Sequence, residues 1–398
     1  MKKLLTLAAL ALLTNVTSAQ ENENKTKKEE GFKFEEVLAL PITPIKNQAN
    51  SGTCWAYSAL SFMESEIIRA GHKGDIDLAE MFIVHNAYRD RAEKFVRLHG
   101  HLNFGAGSSF GNVIAVMKKD GIVPQSVFPG LNYGTDHNNH QELDALTSAY
   151  VNVIKDAPQK YLTPAWKKGY LGILNAYLGE IPSTFQVDGK EFTPKTYLES
   201  LKINMDDYID LTSWTHHPFY EQMVIEVPDN WIWERAYNLP LDELIEAIDA
   251  SLENGYTVAW ASDVSEDGFT RNGLAVLPNI EKMEMVGTDQ AKWLKMSARE
   301  KSAAALNSPC PELEVTQEMR QEAYDNFQTT DDHGMHIYGI AKDQTGKKYY
   351  MVKNSWGENA GAYKGFWYVS EAYVRYKTMD IVINKNALPK SIRKKLSL

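Results

Sequence analysis

An α+β fold is what the sequence predicts, with helices gathered in the first half and an antiparallel sheet in the last third. Two patterns carry this. Over residues 54–70 the apolar side chains Trp55, Leu60, Phe62, Met63, Ile67 and Ile68 recur at helical spacing, and the same period marks 78–97, 110–119, 141–155, 166–177, 241–253 and 316–326. By contrast "TVAWAS", "HIYGIAKD", "KYYMVKNSWG", "GFWYVS" and "MDIVINK" alternate or are rich in β-branched and aromatic residues, with "DQTGKK" a hairpin turn between the second and third. Helices followed by strands, without βαβ alternation or an internal repeat, indicate α+β. At 398 residues and 43% hydrophobic content the chain can bury a large core.

The N-terminus reads as targeting. "MKKLLTLAALALLTNVTSAQ" has two lysines, an apolar run over 4–13, then Thr17, Ser18 and Ala19, the pattern of a secretory signal cleaved near Ala19. The run is too short to span a bilayer. No cysteine follows it to carry a lipid anchor, so the expectation is a signal peptide at 1–19 and an exported protein, periplasmic or secreted, that is soluble. The charged segment at 20–33 reads as a disordered leader, and 34–398 as the globular domain. A net charge of −10 gives no overall attraction for nucleic acid. The basic run at 390–395 reads as a solvated tail.

One of the two cysteines stands in "NQANSGTCWAYSAL", at the start of the first helix. Ser51 or Thr53 can cap that helix and Gly71 can end it. A helix N-terminus stabilises a thiolate, which makes Cys54 a candidate nucleophile. It still needs a base. His336, in "DDHGMHIYGI", is the candidate because it opens an apolar strand, and Asn354, in "VKNSWG" on the paired strand, can orient its ring while Trp356 shields the hydrogen bond from water. Cys, His and Asn together make a nucleophile, a base and an orienter. Cys310, in "NSPCPELE", reads as a small buried hydrophobe, and a disulfide to Cys54 would consume the nucleophile. The histidine pairs at 99/101 and 216/217 lack a third ligand at useful spacing, so no metal is expected, and no phosphate loop is present.

"QANSGTCWAYSA", "GMHIYGIA" and "VKNSWGENAGAYKGFWYVS" resemble the active-site segments of papain-like cysteine peptidases, most closely the bleomycin hydrolase and aminopeptidase C branch. The likeness continues through "DIDLAEMFIVHNAYRDRAEKF", "GSSFGNVIAVMKKDGIVPQSVFP" and "WASDVSEDGF". The resemblance implies a papain-like fold, peptide substrates, no cofactor, and scope for a homo-oligomer. It assigns Cys54 as nucleophile, His336 as general base and acid, Asn354 as orienter and Gln48 as oxyanion donor beside the Cys54 N–H, with Gly107, Ser108, Trp55 and Trp356 along the substrate groove. His336 lies 282 residues after Cys54, against about 130 to 150 in simple papain-like enzymes. A mostly helical insertion is therefore expected at about 130–240.

Two departures bear on substrate. Ser108 stands where the family pattern has a second glycine, which narrows the expected groove. The family's C-terminal arm, which meets the substrate amine in the cleft, has no matching ending in "INKNALPKSIRKKLSL", so aminopeptidase-like action with some endopeptidase cleavage is expected. The alternatives are a non-catalytic peptide- or carbohydrate-binding relic and an acyltransferase working through the same thioester.

Overall fold

The computed structural model of the chain describes residues 31–158, 161–283 and 293–398. The signal segment at 1–19 and residues 20–30 of the leader lie outside them. The last leader residues are anchored: Gly31 and Lys33 hydrogen-bond the Gln344 side chain, and Phe32 stacks on Phe34.

Strand β1 (Phe34–Ala39) is followed by α1 (Cys54–Arg69), α2 (Glu80–Arg97), α3 (Phe110–Asp120), α4 (Gln141–Lys155) and α5 (Ala165–Leu178). These helices start and stop within two residues of where apolar periodicity places them. α1 is buried on every face from Trp55 to Ile67, as expected of a helix enclosed by other elements. Its buried Glu64 is matched by Thr43 Oγ1 at 2.5 Å, the Leu78 N–H at 2.8 Å and Lys46 Nζ at 3.2 Å. The expected insertion holds α4, α5, the hairpin β2 (Phe185–Val187) and β3 (Lys190–Phe192), and α6 (Pro194–Ser200). It then supplies β4 (Tyr208–Thr212), β5 (Gln222–Val224) and β6 (Arg235–Asn238), which extend the main sheet.

The rest of the chain is α7 (Leu241–Glu253), β7 (Val258–Ser262), β8 (Leu274–Ala275), α8 (Ala298–Ala305), α9 (Gln317–Asp325), β9 (His333–Asp343), β10 (Lys348–Lys353), β11 (Phe366–Ser370), α10 (Glu371–Lys377), β12 (Thr378–Asn384) and α11 (Lys390–Leu396). The sheet runs β5-β6-β4-β12-β7-β9-β10-β11-β8, and β1 pairs with the second half of β9. Because strand side chains alternate, Ala259 and Ala261 of β7 face the core built on α1 to α5, while Val258 and Trp260 face the core of α7 and α10. The basic run at 390–395 is a docked helix, not a solvated tail: Ile392 and Leu396 are buried in the α7 core, and Lys395 bonds Glu243 at 2.7 Å.

Candidate active site

Cys54 is the first residue of α1, half-buried, and lines the cleft between α1, α3 and the sheet. The sequence placed a capping hydroxyl before it, but neither candidate caps. Thr53 occupies the cap position without a side-chain bond to the helix; Ser51 Oγ lies 2.5 Å from Thr53 Oγ1 and donates to the Gln48 carbonyl at 2.7 Å. The helix start alone does not ionise the thiol. Burial pushes it up to about 11; the backbone N–H groups of Gly334 and Trp55 pull the other way, and Asp331 and Asp229 add to the rise. The sulfur therefore needs a base to take its proton.

The base identified from the sequence, His336, is not placed to do this. It sits inside β9 opposite Ala259 and Lys353, fully buried, with Nδ1 bonded to Ser61 Oγ at 2.9 Å and its ring edge-on to Phe62. His333, three residues earlier, stands at the strand start and lines the cleft with Cys54. Three positions along a strand reverse the face a side chain takes, so only one of the two can meet the Asn354 loop. That one is His333: its Nε2 lies 2.8 Å from Asn354 Oδ1, and its ring stacks on Trp356 with centroids 4.8 Å apart. The criterion of a histidine opening the strand holds; the strand opens three residues earlier than "HIYGIAKD" suggests. Burial lowers His333 to about 4, while the Asn354 bond raises it. Gly334 makes the approach of α1 to β9 feasible, since a Cβ there would lie 2.6 Å from Ser58 Oγ.

Asn354 and Gln48 are tied into one unit. Asn354 Oδ1 also accepts from the Ser355 N–H at 2.7 Å, and Ser355 Oγ donates to Gln48 Oε1 at 2.6 Å. The Gln48 N–H donates to the Ser355 carbonyl at 2.8 Å. Gln48 Nε2 gives one hydrogen to the Ser51 carbonyl at 2.8 Å, which leaves the amide's second hydrogen. The Cys54 N–H belongs to the first helical turn, whose donors have no intrahelical acceptor.

Trp55, Gly107 and Ser108 line the cleft; Trp356 instead covers the His333–Asn354 bond. The Trp55 indole N–H donates to Ala106 O at 3.1 Å, and Arg91 holds the Gly105 and Gly107 carbonyls. Ser108 Oγ accepts from Trp231 Nε1 at 2.9 Å and Asn112 Nδ2 at 2.8 Å, so its side chain is tied to the wall. Sequence reasoning missed both His333 and the acidic lining of this cleft, Asp210, Asp229, Glu234, Asp331, Asp332 and Asp380. Both cysteines are free. Cys310 is half-buried near the chain of Lys347, which donates to its carbonyl. His216 and His217 do gain a third neighbour, Glu226, with ligand atoms within 4.8 Å of one another on a largely exposed edge; His99 and His101 join no such group among the described residues. No helix among the described residues is long and apolar enough to cross a membrane.

The chain is similar to known proteins over most of its length. Residues 33–150 match the model of the papain family of cysteine proteases, and 312–397 that of a Peptidase C1-like family. Aminopeptidase G of Lactobacillus delbrueckii subsp. lactis is 22% identical over 401 residues, covering 90% of this chain and 84% of its own. Bleomycin hydrolase of Gallus gallus is 20% identical over 407 residues, with 90% and 84% covered. The fold is similar to a crystal structure of PepW from Lactobacillus rhamnosis, at a TM-score of 0.67 and 20% identity, covering 91% of this chain and 84% of that one. Matches to papain-type family models at both ends, relatives aligned over most of the chain and a shared fold make the chain similar to the papain-like cysteine peptidases, with aminopeptidases and a bleomycin hydrolase among its relatives.

Proposed function

We propose that this protein hydrolyses peptide bonds, as an aminopeptidase-like enzyme on oligopeptides, with Cys54 as nucleophile, His333 as base and acid, Asn354 as orienter, and Gln48 with the Cys54 N–H as oxyanion donors. The observation that carries this assignment is the His333 Nε2 to Asn354 Oδ1 contact of 2.8 Å in the cleft that holds Cys54. With Nε2 engaged, Nδ1 is the nitrogen left for the sulfur's proton. The thiol proton passes to His333 as Sγ bonds to the carbonyl carbon, and the oxyanion forms against the Gln48 and Cys54 donors. Collapse breaks the C–N bond, and the amine leaves with the proton from His333. Water then gives a proton to His333 and attacks the thioester; the acid departs and Cys54 recovers its proton.

The experiment is a panel of fluorogenic peptides, free and N-blocked, with and without a thiol alkylator. Turnover abolished by alkylation supports the reading; a protein that binds these peptides without cleaving them would be a relic of the fold. Added amines distinguish an acyltransferase, which would form new amides faster than acid. We further propose export by the segment at 1–19, tested by N-terminal sequencing of the mature protein, which should begin near Gln20. The resemblance also supports self-association, which light scattering of the purified protein tests.

A further inference from the structure

Six carboxyl groups share the cleft with Cys54, and among the described residues none of them forms an ion pair. Two are satisfied by neutral donors: Asp229 by Asn103 at 2.9 Å, and Asp332 by Thr330 at 2.8 Å and the Val264 N–H at 3.3 Å. The other end of the cleft is barer. Asp210, in the middle of β4, is only 6% exposed, and its Oδ1 has no hydrogen-bond partner. Asp380, on the neighbouring strand β12, sets a second carboxyl group against it. Glu234 stands over Gly111 at the start of α3, where its contact with Ser109 Oγ is long at 3.5 Å. The buried guanidinium of Arg320 gives Nε and Nη1 to the carbonyls of Ser213, Arg375 and Tyr376; its Nη2 has no hydrogen-bond partner among the described residues, and its charge acts on Asp380 without forming an ion pair with it.

A buried carboxyl group without a donor is costly, and here the cost extends to the chemistry. Negative charge at Asp331 and Asp229 works against turning the Cys54 thiol into an anion. A cation arriving with the substrate would offset both penalties. The cleft has the matching shape: Ile225, Val227 and Ala261 give it apolar walls leading to the carboxyl groups, which suits a side chain with an apolar stem and a charged head.

We infer that this end of the cleft is a cation subsite. It takes an ammonium or guanidinium group on the acyl side of the peptide bound at Cys54, with Asp210, Asp380 and Glu234 as its receiving groups. This rests on the reading of Cys54 as nucleophile. The group has two sources, the free N-terminal amine or a Lys or Arg side chain, and two pairs of ligands separate them. In the Cys54→Ala protein, calorimetry compares a peptide amide with its N-acetyl form, and an N-blocked peptide carrying Arg with its citrulline counterpart. At least one pair should differ by about tenfold or more in Kd, and Asp210→Asn or Asp380→Asn should bring that ratio toward one. A free-amine preference assigns the N-terminus, an Arg preference the side chain. Ratios near one in both pairs would overturn the subsite, and this comparison stands even if the Asp variants misfold. The nucleophile reading is tested separately, by whether wild-type turnover survives Cys54→Ala.

Discussion

Replacing Asn354 probes the pairing that orders the whole site. Its Oδ1 accepts from His333 Nε2 at 2.8 Å and from the Ser355 N–H at 2.7 Å. Asn354→Ala leaves both donors without an acceptor in a buried setting, and the first becomes a charged donor once His333 takes the thiol proton. A hydrogen bond to a charged group contributes about 1.5–3 kcal/mol, and about 1.36 kcal/mol is a factor of ten. The expected loss in kcat/KM is therefore roughly 10- to 150-fold. The pH profile supplies the sign. Burial lowers His333 to about 4 against the raising effect of Asn354, so the wild-type kcat/KM should hold through mildly acid pH and fall as pH drops through about 4. Asn354→Asp places a full negative charge beside the same nitrogen and favours the imidazolium, so its acid limb should move upward. Stopped assays of kcat/KM between pH 3.5 and 8 read both effects. Wild-type turnover in Asn354→Ala, together with an unmoved acid limb in Asn354→Asp, would refute the pairing.

Cys54→Ala should abolish hydrolysis with the thermal transition retained, while Cys310→Ala should stay within about twofold of wild type, because Cys310 lies outside the cleft; fluorogenic assays with scanning calorimetry check both. Gln48→Ala should lose about 100- to 1000-fold in kcat, the usual cost of one oxyanion donor, and wild-type kcat would mean that another group fills that place. Gly334→Ala forces a Cβ to within 2.6 Å of Ser58 Oγ; it should lower both Tm and kcat by moving α1 from β9, and a variant as stable and active as wild type would show that the contact yields freely.

Much of this architecture was legible because burial imposes a period. The helices at 141–155 and 241–253 coincide with their apolar stripes, and the hairpin between β9 and β10 follows from Gly346 at a left-handed position after Asp343. The candidates Cys54, Asn354 and Gln48 stood out for a different reason: each stands in a short segment whose composition draws attention to it. His333, the proposed base, was passed over because Gly334 and Met335 do not look like strand residues, yet they pair with Ala261 and Trp260 inside the sheet. The acidic cleft could not be read locally, since Asp210, Glu234, Asp331 and Asp380 come from separate segments that only the sheet order brings together. A carboxylate inside "YIDLT" and another inside "MDIVIN" were the available signals, charged residues set in otherwise apolar strands.

The most direct test of the central assignment compares the two histidines of β9. His333→Ala and His336→Gln would be purified, shown to be folded by circular dichroism and Tm, and assayed on one fluorogenic peptide, glutamine being chosen to keep a hydrogen bond for Ser61. The assignment predicts that His333→Ala loses at least about 100-fold in kcat, the lower range for general acid–base catalysis, while folded His336→Gln stays within about tenfold of wild type. A folded His333→Ala protein with near wild-type turnover, beside an inactive but folded His336→Gln, would contradict it.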